Sequence, residues 1–213
     1  MLEWKQGSYM NIILSVLFSA LGYIIGSIPW ALIVSKLFFK QDIRELGSKN
    51  PGGSNIARTY GLKWGLIVIA LDASKAIVAM LITYLLFKPG VIYAGFCACI
   101  GHCLSVFIDF KGGKGVATTY GFLLGLSIFT DIDALFTFVY PLLFFLAILC
   151  FFKYVSLASM MSLVIETVIA FITCETVIIK IMILLLTALV VVRHRSNINR
   201  LLEGKENKVS FII

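Results

Sequence analysis

The feature that most constrains this chain is a succession of apolar runs, each close to the roughly 20 residues that cross a bilayer as a helix. Residues 12–34, 64–87, 91–110, 134–152, 155–173 and 176–192 fit that length, and residues 116–130 sit at its lower limit. A bilayer core offers no water to backbone polar groups, so such runs are expected to span as helices. The 60% apolar share and mean hydropathy of +1.01 exclude an ordinary soluble domain. The first run continues to Phe39, well past the about 7–15 apolar residues of a cleaved signal peptide, and is expected to remain as a spanning helix.

The charges orient these spans. The net charge is +7 and the pI near 9.2, but the basic residues sit between apolar runs and form no basic-aromatic stripe, so no nucleic-acid partner is expected. Lys36, Lys40, Arg44, Lys49, Arg58 and Lys63 follow the first span and belong inside the cell. Lys88-Pro89-Gly90 then lies outside, Lys111 and Lys114 inside, Asp131 and Asp133 outside, Lys153 inside, Cys174-Glu175 outside, and the tail from Arg193 to Lys208 inside. The alternation holds only if residues 116–130 cross. The expectation is therefore an all-α polytopic membrane protein of about seven transmembrane helices, N-terminus outside and C-terminus cytoplasmic, forming one domain over residues 1–213. A six-span chain, with residues 116–130 re-entrant, fits the charges less well.

The five cysteines, Cys97, Cys99, Cys103, Cys150 and Cys174, lie in or beside apolar runs, and their odd number argues against a complete disulfide framework. Cys97, Cys99 and His102 would point in several directions on one helix, so they read as fillers and no metal is expected.

Three polar segments interrupt the apolar pattern, and this topology puts all three on the cytoplasmic side. The first runs over residues 42–58 and is rich in Gly, Ser and Asn, with Ser48, Asn50, Asn55 and Arg58 interleaving amides and hydroxyls with cations. A loop longer than about 12–15 residues is usually functional or disordered. The second is Lys111-Gly112-Gly113-Lys114-Gly115 at the entrance to an apolar helix that carries Thr118. Glycines let an anion approach the unpaired amides of a helix start, and Lys114 adds a full charge, so these are the parts of a phosphate cradle. Alone they also read as a glycine turn with two positive-inside lysines. The third is Arg193-His194-Arg195-Ser196-Asn197, in which His194 and Asn197 share a face if the helix continues. Histidine suits proton transfer near neutral pH, and a nearby amide can orient it. The arginines alone read as a lipid-binding juxtamembrane stop. Asp72 and Lys75, at i and i+3, read first as an ion pair that makes both tolerable in a membrane helix.

Absent motifs narrow the chemistry. His102 and His194 are followed five residues on by Phe107 and Asn199, so the histidine-aspartate acyltransferase motif is missing. H-E-x-x-H, G-x-S-x-G and a Walker A loop are missing too.

With these residues in view, the chain resembles the bacterial acyl-phosphate:glycerol-3-phosphate acyltransferases. The likeness rests on Gly26-Ser27-Ile28-Pro29, the loop from Gly47 to Asn55, Asp72 with Lys75, the run from Gly101-His102 to Thr118, Tyr154-Val155-Ser156-Leu157, and Arg193-His194 through Arg200 with Gly204 and Glu206. The resemblance implies transfer of a fatty acyl group from acyl phosphate to the 1-hydroxyl of sn-glycerol 3-phosphate, giving lysophosphatidic acid and phosphate in the first step of phospholipid synthesis. It implies an active site on the cytoplasmic side of the cell membrane, with membrane lipid as surroundings and no cofactor or metal. It assigns catalysis to Ser48, Arg58, Lys114, His194 and Asn197, and substrate binding to Asn50, Asn55, Gly112, Gly113, Gly115, Thr118, Ser156 and Glu206. Departures are Lys49 for a usual Gly, Gly53-Ser54 for Ala-Thr, Ala76 for Gly, Ser105 for Pro and Lys153 for Arg. They bear on the shape of the first loop and on an anion contact near Lys153. Either His194 or the phosphate of glycerol 3-phosphate takes the hydroxyl proton, and which anion position holds which phosphate is open. A transporter would place its charged groups near mid-bilayer. A scaffold would leave the three segments unexplained.

Overall fold

The computed structural model describes residues 2–209, with side chains from Tyr9 onward. Its regular elements are helical, with no strand among the described residues. Leu2–Ser27 (α1), Trp30–Phe39 (α2), Gly53–Tyr60 (α3), Leu62–Leu86 (α4) and Val91–Cys103 (α5) lead to Val116–Phe129 (α6). Tyr140–Phe152 (α7), Val155–Thr173 (α8), Val177–Arg193 (α9) and Arg195–Leu202 (α10) follow. The chain divides into two compact units, one ending at Gly125 and the other beginning at Leu126.

Among the described residues five segments are long and apolar enough to cross a membrane: Tyr9–Phe39, Leu62–Leu86, Lys88–Ile108, Leu135–Phe152 and Val155–Thr173. Counting the α9–α10 pair, bent by 58°, as one broken span brings the number to six. At 14 residues α6 is shorter, about 21 Å at 1.5 Å per residue against a hydrocarbon core of about 30 Å. The helices expose apolar side chains such as Val16, Leu17, Leu85, Phe151, Ile172 and Val192, as a lipid-facing surface requires.

The first run does not form one smooth helix. Pro29 has no N–H to donate and its ring clashes with the preceding turn, so α1 stops at Ser27 and α2 restarts on the Pro29 carbonyl, which accepts from Leu32 and Ile33 at 3.0 Å. In the first unit α1 packs closely on α5. A Cβ on Gly22 or Gly26 would collide with the backbone of Ala94 or Ala98, and one on Gly101 with the Tyr23 carbonyl. Without a hydrophobic drive between helices in lipid, such small-residue seams supply the van der Waals contact that holds them together. Ala31, Val34, Ile43, Ile56 and Val68 form a second core beneath the loop that follows α2.

In the second unit α8 packs against both α7 and α9, with Leu149, Leu163, Met182, Ile183, Leu186 and Val190 buried. Thr167 donates to Thr187 at 2.9 Å, which satisfies a hydroxyl that lipid could not.

Candidate functional site

The loop after α2 is built around Asn55. Its Oδ1 accepts the Ser48 N–H at 2.9 Å, and its Nδ2 donates to the carbonyls of Ile43 at 3.1 Å and Leu46 at 3.0 Å. The side chain is buried, so its hydrogen-bonding capacity goes into holding the loop in shape. Ser35 fastens the near end, its hydroxyl donating to the Gln41 carbonyl and accepting from the Ile43 N–H. Asp42 accepts from the Arg44 backbone and guanidinium, the closest contact 2.7 Å; the Arg44 bond holds its carboxyl well below the usual range. Arg44 is thereby committed. Arg58, in the last turn of α3, and Ser48 are exposed, and Asn50 is half-buried; no ion pair engages Arg58 among the described residues.

The second segment folds as a wedge between α5 and α6. Asp109 and Phe110 adopt left-handed backbone, as does Gly115 at φ 85°. The Gly113 N–H donates to the His102 carbonyl at 3.0 Å. A Cβ on Gly112 would strike that carbonyl, and one on Gly113 would strike His102 Nε2. Both glycines are needed for close approach, not for φ. Helix α6 then starts where the Thr119 N–H bonds the Gly115 carbonyl at 2.8 Å, so the amides just before it are those a helix start leaves without intrahelical acceptors. Thr118 is fully buried in this first turn, and its hydroxyl has no hydrogen-bond partner among the described residues. Lys114 is half-buried beside it in sequence.

Below the loop lies a network of buried side chains. Lys75 Nζ is 2.9 Å from Asp72 Oδ1, 2.9 Å from His102 Nδ1 and 2.9 Å from the Ile28 carbonyl. The expected Asp72–Lys75 pair is therefore present, with a third member 27 residues away in sequence. In the sequence His102 reads as a candidate metal ligand, as the histidine of an absent H-x-x-x-x-D motif and as part of the family likeness, none of which points to Lys75. The signal that could have found this role is a single histidine in an apolar run ten residues before a glycine loop.

The third segment, in the second unit, centres on a break rather than a continued helix. His194 is at once the C-cap of α9 and the N-cap of α10, at φ −97° and ψ 6°. Its Nδ1 lies 2.8 Å from the Val190 carbonyl. A carbonyl only accepts, so the neutral ring carries its proton on Nδ1 and Nε2 is the basic nitrogen. Glu206 returns from the tail to accept from Asn197 Nδ2 at 2.6 Å, Ser156 Oγ at 2.8 Å and Arg200 Nε at 2.7 Å. Burial raises this carboxyl, but the three hydrogen bonds and the Arg200 charge more than offset it, leaving Glu206 below its ordinary value. Val209 N–H donates to the Lys153 carbonyl at 2.9 Å, so the tail is strapped to the α7–α8 turn. Asn197 and Ser156 thus meet on Glu206, a convergence that their positions in the sequence do not announce.

A cavity of about 620 Å³ in the second unit is lined by Asp131, Asp133 and Glu175 with several threonines. None of the candidate catalytic or substrate-binding residues lines it, and its carboxylates would repel a phosphate.

A family model described as glycerol-3-phosphate acyltransferase matches residues 16–204. A Bacillus anthracis protein named glycerol-3-phosphate acyltransferase 2 is 41% identical over 197 residues, covering 92% of this chain and 100% of its own. The chain belongs to the glycerol-3-phosphate acyltransferase family. Another acyltransferase of that name, from Bacillus velezensis, is 42% identical, with 90% of this chain and 95% of its own covered. The crystal structure of the integral membrane glycerol 3-phosphate acyltransferase PlsY (YgiH) in its glycerol 3-phosphate form matches with a TM-score of 0.82 at 33% identity, covering 92% of this chain and 96% of that one. Its lysphosphatidic acid form matches at 0.79 and 32% identity. As a family member the chain is an acyltransferase of the membrane, and the match spans all three polar segments.

Proposed function

We propose that this acyltransferase moves a fatty acyl group from acyl phosphate to the 1-hydroxyl of sn-glycerol 3-phosphate. The products are lysophosphatidic acid and inorganic phosphate, and the reaction opens phospholipid synthesis. The observation that carries this reading is the glycine loop at the start of α6, where first-turn amides, Lys114 and the unpartnered buried Thr118 hydroxyl offer a phosphate its donors. An unpaired buried hydroxyl costs about 1–3 kcal/mol, which a ligand oxygen would offset. The two solved relatives, a glycerol 3-phosphate form and a lysphosphatidic acid form, support acceptor and product.

The acyl donor follows from the chemistry available. The C1 oxygen attacks the acyl carbon, an ester bond forms, and the bond from that carbon to the phosphate oxygen breaks with its electron pair leaving on phosphate. A mixed anhydride is already activated, so no covalent acyl-enzyme is needed, in keeping with the missing nucleophile motifs. Gly112, Gly113, Lys114, Gly115 and Thr118 hold glycerol 3-phosphate. Ser48, Asn50 and Arg58, on the loop that Asn55 shapes, receive the acyl phosphate and stabilise the charge that grows on its leaving group. His194 takes the hydroxyl proton on Nε2, while Asn197, Ser156 and Glu206 fix the backbone around it. The reading includes about seven spans, with α6 as a short crossing, the N-terminus outside and the polar segments cytoplasmic.

The test is purified protein in lipid nanodiscs given palmitoyl phosphate, palmitoyl-CoA or palmitoyl-acyl carrier protein, each with glycerol 3-phosphate. Lysophosphatidic acid formed with palmitoyl phosphate alone is the expected result. Product from either thioester, with none from the phosphate, would require a different donor.

A further inference from the structure

We propose that Asp72, Lys75 and His102 form a positioning relay that holds the Nε2–H of His102 against the glycine loop and so sets that loop's grip on the acceptor phosphate. The proposal rests on the reading of the loop as the glycerol 3-phosphate site.

An ammonium has three hydrogens and only donates. At Lys75 three acceptors lie at 2.9 Å: Asp72 Oδ1, His102 Nδ1 and the Ile28 carbonyl. Nδ1 of His102 also faces Asp72 Oδ1, but at 3.5 Å against the 2.9 Å of the ammonium, so Nδ1 accepts from Lys75 and the neutral ring carries its proton on Nε2. That nitrogen faces Gly113 closely enough that a Cβ there would collide with it. The same residue's carbonyl accepts the Gly113 N–H at 3.0 Å. His102 thus holds the loop with its backbone and presents a ring donor to it. Side-chain exposures of 3% for Lys75, 4% for Asp72 and 7% for His102 keep water from competing.

An ion pair that only neutralised two buried charges would need no imidazole. Here the charge of Asp72 holds Lys75, Lys75 selects the imidazole tautomer, and the tautomer sets which hydrogen-bonding atom meets the loop. His102 is a positioning residue.

The chain has two histidines, so ¹⁵N-histidine labelling in nanodiscs reads two rings, and His102→Gln assigns them. Expected in the wild type is a bare Nδ1 and a protonated Nε2 for His102, with the opposite tautomer for His194. The paired variant Asp72→Asn/Lys75→Met removes both charges together and leaves neither buried alone. It is expected to mix the His102 tautomers and raise KM for glycerol 3-phosphate at least tenfold. KM for acyl phosphate should stay within twofold, with thermal unfolding in detergent confirming the fold. A protonated Nδ1 on wild-type His102 would overturn the relay. So would both KM values rising together, or neither rising, in the folded variant. The tautomers are read without turnover, so a wild type inactive on acyl phosphate would sink the proposed reaction and leave the relay testable.

Discussion

His194 Nδ1 donates to the Val190 carbonyl at 2.8 Å, and this single bond decides which ring nitrogen can take a proton. The carbonyl belongs to the last full turn of α9, so the ring is oriented by its own helix, just before the 58° bend that releases α10. His194→Ala is expected to lower kcat by about 10²–10⁴-fold, the usual worth of a positioned acid–base group, with both KM values changed less than fivefold. Steady-state kinetics on the purified variant checks this.

Lys114→Ala is expected to act differently. Removing a charge that contacts bound phosphate should raise KM for glycerol 3-phosphate by about tenfold or more, matching the roughly 1.5–3 kcal/mol of a charge-assisted hydrogen bond. Initial rates across both substrate concentrations separate this from an effect on the donor.

Glu206 makes the tail pH-sensitive. Its folded pKa lies below the ordinary 4.5, so it stabilises the strap above the unfolded value and loses that contribution as pH falls through the folded one. Hydrogen exchange over residues 203–209 should be slow at neutral pH and quicken, relative to the rest of the second unit, as pH drops below the ordinary glutamate range. In Glu206→Gln the Arg200 pair is lost, and the same segment should exchange quickly at neutral pH.

Asn55→Asp tests the loop's central residue. A carboxylate can still accept from Ser48 N–H but cannot donate to the carbonyls of Ile43 and Leu46. Limited proteolysis should cut within residues 43–58, and activity should fall at least tenfold.

Glycine substitutions separate contact from strain. Gly112→Ala drives a Cβ into the His102 carbonyl and is expected to abolish activity, whereas Gly204, at φ 67° with open space around it, should cost about 1 kcal/mol as alanine and keep turnover near wild type. The same assay with a thermal-unfolding control reads both.

Local features were legible in the sequence and registers between elements were not. Helix α8 occupies residues 155–173 as its apolar run indicates, and α6 begins directly after the glycine loop. The Asp72–Lys75 pair follows from i, i+3 spacing. The Pro29 break lies inside an unbroken apolar run, because hydropathy takes no notice of a missing N–H. The bend at His194 has neither Gly nor Pro to mark it. His102 meets Lys75 only because α4 and α5 pack at one rotation, which spacing along the chain does not encode. Asn55 looks like a substrate ligand in a polar loop, and only its bonds to Ile43, Leu46 and Ser48 reveal the loop's own need for it.

The central claim is acyl transfer from acyl phosphate to a glycerol hydroxyl, and one isotope measurement tests it most directly. Purified protein is given palmitoyl phosphate and sn-glycerol 3-phosphate carrying ¹⁸O in the 1-hydroxyl, and both products are analysed by mass spectrometry. The expected result is one labelled lysophosphatidic acid for each unlabelled phosphate released. Label confined to a phosphorylated glycerol, or lysophosphatidic acid formed without phosphate release, would contradict it.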